Sequence, residues 1–281
     1  TVPEASFNFF PQDFSFTAYL PWVGAWMIIG LGSICTPDLA QRAMASKDEK
    51  TAKYSAVTAG LLYWIVGLVP VILGIIGLSL VNQGIMDGSA LIDDSELVIP
   101  FMVKNYMPTA MGVIFTLGMI AGIMSAADAA LLSVASIISK NIYKDTLKPD
   151  ASDQSVLKVT RLMILAVTVI ALIVGIMYPE IYLLTAFSFD LILACLFIPL
   201  TLGIWWKKAN STGALAAMVI GAAYRIIGPG IVEGFSFESI TYPETWYYYT
   251  VFAPIISLVV MVVVSLATQK KDIPTPLTFA D

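Results

Sequence analysis

The chain has 281 residues, 58% of them hydrophobic and only 12% charged, with a mean hydropathy of +0.83 and a formal net charge of −5. That composition lies far from an ordinary globular domain, and the negative balance removes any electrostatic case for nucleic-acid binding. The absence of histidine takes away the commonest general base and metal ligand, and Cys35 and Cys195 both sit in apolar runs, which predicts free thiols and no disulfide framework.

Seven apolar runs approach the roughly 20 residues that cross a bilayer, which predicts an all-α polytopic membrane protein. Thr1–Phe14, polar and aromatic with Pro3 and Pro11, reads as a loop. The first span covers about 16–32 and meets Gly30–Pro37 (GLGSICTP), where two glycines and a proline predict a break, with helix resuming over about 37–45. Gln41–Lys53 reads as a charged connector, and the second span as about 56–81 with a kink at Pro70. Asn82–Met107 reads as an external segment with short helices near Ser89–Ile92 and Glu96–Lys104. The third span is about 108–138, followed by the polar connector Asn141–Ser155 and a fourth span at about 156–177. A turn at Tyr178-Pro179-Glu180 leads to the fifth span, about 181–206, which contains Asp190 and Pro199. The sixth is about 212–227, then a Gly/Pro/aromatic loop Gly228–Trp246, a seventh span at about 248–268 and a polar tail.

Basic residues set orientation. With the N-terminus outside, 13 of the 15 Lys and Arg residues fall on inside connectors, and only Lys104 and Arg225 fall outside. This predicts a multi-pass protein of the cell (inner or plasma) membrane, N-terminus outside and C-terminus cytoplasmic. A first span entering from outside, in a chain that starts at Thr1 without a signal-peptide pattern, leads us to expect further helices upstream.

Three stretches carry polar groups where they are expensive. In Met119–Lys140, Ser125, Asp128, Ser133, Ser136 and Ser139 interrupt an apolar run, and Gly122, Ala126 and Ala129 share helical spacing with Ser125 and Asp128. A carboxylate there costs several kcal/mol unless it is paired, solvated or holds a cation. One face of this helix is therefore either a hard-cation site or a polar helix–helix seam. The break at Gly30–Pro37, with Gly30, Gly32, Ser33 and Thr36, either offers carbonyls and half-helix ends to an ion or solute, or is a glycine-packed kink. Asp190 lies about 15 Å into the fifth span, either facing a cavity or solvated near the outer interface. Trp205-Trp206-Lys207-Lys208 reads as an inner-interface anchor, and Tyr247-Tyr248-Tyr249 as an outer aromatic belt.

The stretch Gly203-Ile-Trp-Trp-Lys-Lys208-Ala-Asn-Ser-Thr-Gly213-Ala214, continuing through Ala217 to Gly221 and Ala223, resembles a diagnostic pattern of the sodium:solute symporters. Pro37-Asp-Leu-Ala-Gln41-Arg42 with Lys47-Asp48, and Met124-Ser125-Ala126-Ala127-Asp128-Ala129, resemble two further segments of that family. The resemblance implies the second half of an inverted-repeat (LeuT-like) transporter fold: spans one to five as the second repeat, six and seven as peripheral additions. It implies Na⁺-coupled symport of a small organic solute by alternating access, with Na⁺ as coupling ion, the bilayer as setting and no other cofactor. Carried over by position, Gly122 offers a carbonyl and Ser125 a hydroxyl to Na⁺, with Asp128 beside them. Ala126 stands where the family usually has Ser or Thr, and Ala129 where it often has Ser. Solute contacts are expected around Gly30–Thr36 and near Asp190. Two other readings remain open at this point: a transporter-like sensor module, and a non-transporting fragment. An intramembrane aspartyl protease using Asp128 and Asp190 lacks the Gly-x-Gly-Asp motif expected of that class.

Overall fold

A computed structural model describes residues 9–88, 95–178, 180–241 and 243–274. In chain order the helices are α1 (Phe16–Met27), continued by a π turn (Ile28–Gly32) and a 3₁₀ turn (Ser33–Cys35); α2 (Pro37–Met44); α3 (Glu49–Val66); α4 (Leu68–Asn82); α5 (Val98–Tyr106), entered through a 3₁₀ turn at Ser95–Leu97; and α6 (Thr109–Ile137), continued by a π segment (Ile138–Leu147). There follow α7 (Asp153–Met177); α8 (Ile181–Ile192), joined by a π turn (Leu193–Phe197) to α9 (Ile198–Trp205); α10 (Ser211–Glu233); α11 (Phe237–Thr241); and α12 (Trp246–Thr268). Among the described residues there is no strand, and seven spans are long and apolar enough to cross a membrane.

The number and order of spans agree with expectation, and several boundaries do not. The second span starts at Glu49, inside the expected connector, because the Asp48 carboxylate accepts the Thr51 N–H at 2.7 Å and caps α3. The kink falls at Gly67, ahead of Pro70. Proline has no N–H to offer the Val66 carbonyl and its ring crowds that oxygen, while the Gly67 N–H still reaches the Tyr63 carbonyl at 2.7 Å. The third span runs on as π-helix to Leu147, so the polar connector after it is shorter than expected. In the fifth span a π turn precedes Pro199, the wider turn absorbing the bond that proline cannot make. The sixth span continues through Gly228 and Pro229 to Glu233 and stops at Gly234, whose φ of +92° suits glycine. The expected loop after it is therefore mostly the end of α10 plus α11. The short helix expected at Ser89–Ile92, and Pro179 of the expected turn, lie outside the described residues.

The chain divides into two compact units, one built on Gln41–Ile164, the other on Phe10–Ala40 with the residues from Leu165 onward. In the second unit α10 and α12 pack through small residues, which lets backbones approach closely. A Cβ at Gly213 would overlap the Ser265 hydroxyl, and one at Gly221 would overlap the Ala194 carbonyl of the π turn. The Ser257 hydroxyl donates to the Ala217 carbonyl at 3.4 Å. At the end of α12, Asn210 Nδ2 donates to the Ser265 carbonyl, the Thr268 hydroxyl and the Asp272 carbonyl, while its own Oδ1 caps α10 at the Gly213 N–H. α1 joins the same packing, with Gly24 against the Trp246 ring.

In the first unit, Gly77 of α4 sits under Val98 and Met102 of α5, and Val103 of α5 covers Gly112 of α6. The apolar window of the α6 span nonetheless has no buried residue. The buried residues of α6, Ser133 and Ala135, lie near its C-terminal end.

Candidate functional site

The break after α1 is narrower than an unwound segment. The chain passes from α-helix to π turn to 3₁₀ turn, and only Thr36, with ψ of 137°, is extended. Its polar side chains are spent locally: the Ser33 hydroxyl donates to the Ile29 carbonyl at 2.5 Å and the Thr36 hydroxyl to the Ser33 carbonyl at 2.8 Å. The two candidate glycines differ. Gly32 is buried, and a Cβ there would overlap the Phe189 carbonyl of α8. Gly30 is exposed, with open space where a Cβ would stand. Gly32 is thus the packing glycine of the kink and Gly30 the open one.

This contact brings the break against α8 beside a cavity of about 200 Å³. Ile28 and Ile29 line it from the π turn, Tyr182, Thr185, Phe187 and Phe189 from α8, Thr241 from α11 and Trp246 from α12. Asp190 and Arg225 form part of its wall. Asp190 is 2% exposed, and its Oδ2 accepts from Arg225 Nε at 2.5 Å. Arg225 is 1% exposed, donates from Nη1 to the Ile240 carbonyl at 2.8 Å and from Nη2 to the Thr241 carbonyl at 3.2 Å, and lies 5.1 Å from the Phe187 ring centroid. Asp190 is therefore neither free at the outer interface nor an isolated carboxylate.

The sequence reading missed this partner. Ending the sixth span near Ile227 and counting Arg225 as an external charge hides that it sits about two turns inside a helix that runs to Glu233. The available signal was an arginine in the otherwise apolar run Ala222-Ala223-Tyr224-Arg225-Ile226-Ile227, in a chain with one carboxylate inside the fifth span.

On α6 the polar face divides into two parts. Ser133, 2% exposed, and Ser136 receive the Gln41 side-chain amide at 3.4 and 3.3 Å. One turn further, Ser139 accepts the Thr160 hydroxyl at 2.7 Å. That half is a polar seam. Gly122, Ser125, Ala126 and Asp128, by contrast, are all exposed, and a Cβ at Gly122 would meet open space. Among the described residues no hydrogen bond or ion pair reaches the Asp128 carboxylate. A carboxylate at that depth costs roughly 3 kcal/mol in lipid, so an ion, water or another helix must meet it in the membrane. No group of three or more acidic or Cys residues that would hold a metal ion occurs among the described residues.

The seven apolar spans, with the break of the first packed on α8 of the fifth beside a cavity, define a multi-pass membrane protein. The chain belongs to the sodium:solute symporter family, whose profile matches residues 10–221. It is 30% identical to a sodium/pantothenate symporter of Haemophilus influenzae over 81% of this chain and 45% of that protein. It is 28% identical to an osmoregulated proline transporter of Bacillus subtilis over 91% of this chain and 48% of that protein. To a high-affinity choline transporter of Caenorhabditis elegans it is 28% identical, over 74% of this chain and 38% of that protein. The chain thus spans less than half the length of these relatives.

Proposed function

We propose that this chain carries part of the machinery of a Na⁺-coupled symporter for a small organic solute, working by alternating access in an inverted-repeat fold. The family match across residues 10–221 is the observation that carries the reading. The relatives' names, which refer to choline, pantothenate and proline, agree with a solute of that size. Gly122, Ser125 and Asp128 would contribute to Na⁺ binding from α6, whose exposed oxygen-bearing face at membrane depth is what a cation site requires of this side. Gly30 and the carbonyls of the π turn, with the cavity beside Asp190, would meet the solute. The Na⁺ gradient would drive uptake with about 2.3 kcal/mol per charge per 100 mV from its electrical part. Na⁺ would act by binding one arrangement of the protein better than the other. The N-terminus of this chain would face outside and its C-terminus the cytoplasm, in agreement with the basic residues of the connectors.

Uptake of labelled proline, pantothenate and choline into proteoliposomes, in Na⁺ and in K⁺, tests this on the protein expressed from its full gene. Removing one oxygen ligand in Ser125→Ala should raise the half-saturating Na⁺ concentration about tenfold, the worth of about 1.4 kcal/mol. Uptake indifferent to both Na⁺ and that substitution would refute the coupling.

A further inference from the structure

We infer that Arg225 is a positioning residue that fastens α11 over the cavity, with Asp190 as the counterion that fixes its side chain. From α10 the guanidinium meets two other helices, α8 and α11. Its Nε reaches Asp190 on α8, and its Nη1 and Nη2 reach the Ile240 and Thr241 carbonyls. Those two carbonyls belong to the last turn of α11, where no following turn supplies an N–H and where a cation is favoured. The Thr241 that Arg225 holds also lines the cavity. The planar fork of arginine can address a carboxylate and two carbonyls at once; a lysine ammonium on a flexible stem cannot hold that geometry.

Among the described residues Asp190 is the one acidic group paired with Arg225. The Phe187 ring lies 5.1 Å from the guanidinium, and the Thr250 hydroxyl of α12 donates to the Trp246 carbonyl. α11 itself has five residues, and its side-chain hydrogen bonds are local: the Thr241 hydroxyl bonds the Phe237 carbonyl, and Ser239 bonds Ser236 and the Gly234 carbonyl. So short a helix has little stability of its own. The stacking of Phe237 on Tyr178 holds its first residue to the unit, and Arg225 holds its last turn. Releasing Arg225 frees the cavity wall while leaving α10 packed through Gly221 on the π turn that follows α8.

The test uses Thr241→Cys as a reporter in the full protein with Cys35→Ala and Cys195→Ala, labelled by a membrane-impermeant maleimide. Replacing the ion pair by apolar residues of similar size, Asp190→Leu with Arg225→Met, keeps the interior filled without a stranded charge. It should speed labelling about tenfold, because α11 opens locally. Arg225→Lys keeps a charge for Asp190 but loses the fork, and should give an increase of several-fold. If the double variant does not fold, Arg225→Lys decides alone. Labelling at the parent rate in either folded variant would overturn the inference. The labelling rate involves no transport, so uptake that proved independent of Na⁺ would leave this result standing.

Discussion

Gly30 and Gly32 stand two residues apart in the same break, and the structure assigns them opposite responses to a single methyl group. At Gly32 the added Cβ would overlap the Phe189 carbonyl oxygen, with the Phe189 carbonyl carbon at 3.0 Å and its Cβ at 3.3 Å. Every atom in the way is backbone or the first side-chain atom, so no rotamer change relieves the contact; α1 and α8 must part. Overpacking of that kind costs about 1–3 kcal/mol. At Gly30 nothing lies within 4 Å of the new atom. There the loss of unfolded-chain freedom dominates, and the substitution should be neutral or stabilising by about 0.4–1 kcal/mol. Thermal unfolding of the purified protein in one detergent, followed by fluorescence, compares Gly32→Ala and Gly30→Ala directly. At about 2–4 °C per kcal/mol for a domain of this size, the two midpoints should differ by roughly 2–16 °C, Gly32→Ala the lower. A Gly32→Ala protein as stable as Gly30→Ala would show that the break does not pack on α8 in this way, and the cavity beside it would lose its support.

Gly221→Ala should destabilise for the same reason as Gly32→Ala, since its Cβ meets the Ala194 carbonyl, and the same melting assay checks it against Gly203→Ala, where the space is open. Asp128→Asn should leave the midpoint unchanged within about 0.5 kcal/mol, because the carboxylate has no partner among the described residues, while weakening Na⁺-dependent uptake; a large loss of stability would identify Asp128 as structural. Gln41→Ala should cost about 1 kcal/mol by leaving Ser133 and Ser136 without their amide donor, measurable in the same assay. The Asp272 carboxylate accepts the Thr212 N–H and the Thr212 and Ser211 hydroxyls, which lower its pKa below the ordinary 3.8. A lowered folded pKa gives stability that is complete above the unfolded value and disappears as pH falls through the folded one. Asp272→Asn should therefore melt lower than the parent at neutral pH, and the difference should shrink below about pH 4.

Much of this architecture was legible without coordinates because membrane insertion writes itself into composition. A run of about 20 apolar residues has few alternatives to a helix, and seven such runs appear where expected. Glycine and proline likewise announced the break at Gly30–Pro37. Boundaries were less legible. Asp48, Gly67 and Gly234 decide where helices start, bend and stop through single hydrogen bonds or one backbone angle, and hydropathy averaged over a span does not register them.

The site divides along the same line. From residue types alone, Met119–Lys140 was either a polar seam or a cation site, and it contains both. Ser133, Ser136 and Ser139 find partners in Gln41 and Thr160, whereas Ser125 and Asp128 stay open. Helical spacing cannot separate these halves, because what differs is the neighbour that each turn meets. Asp190 teaches the same point: its cost in the membrane was readable from its position, its partner was not, since Arg225 lies on another span 35 residues away. The sequence by itself determined how many times the chain crosses and where polar groups would be costly, because those follow from local composition and the bilayer's thickness. Only the tertiary structure decided which of these costs are met within the chain, because pairing a buried charge depends on which helices are neighbours.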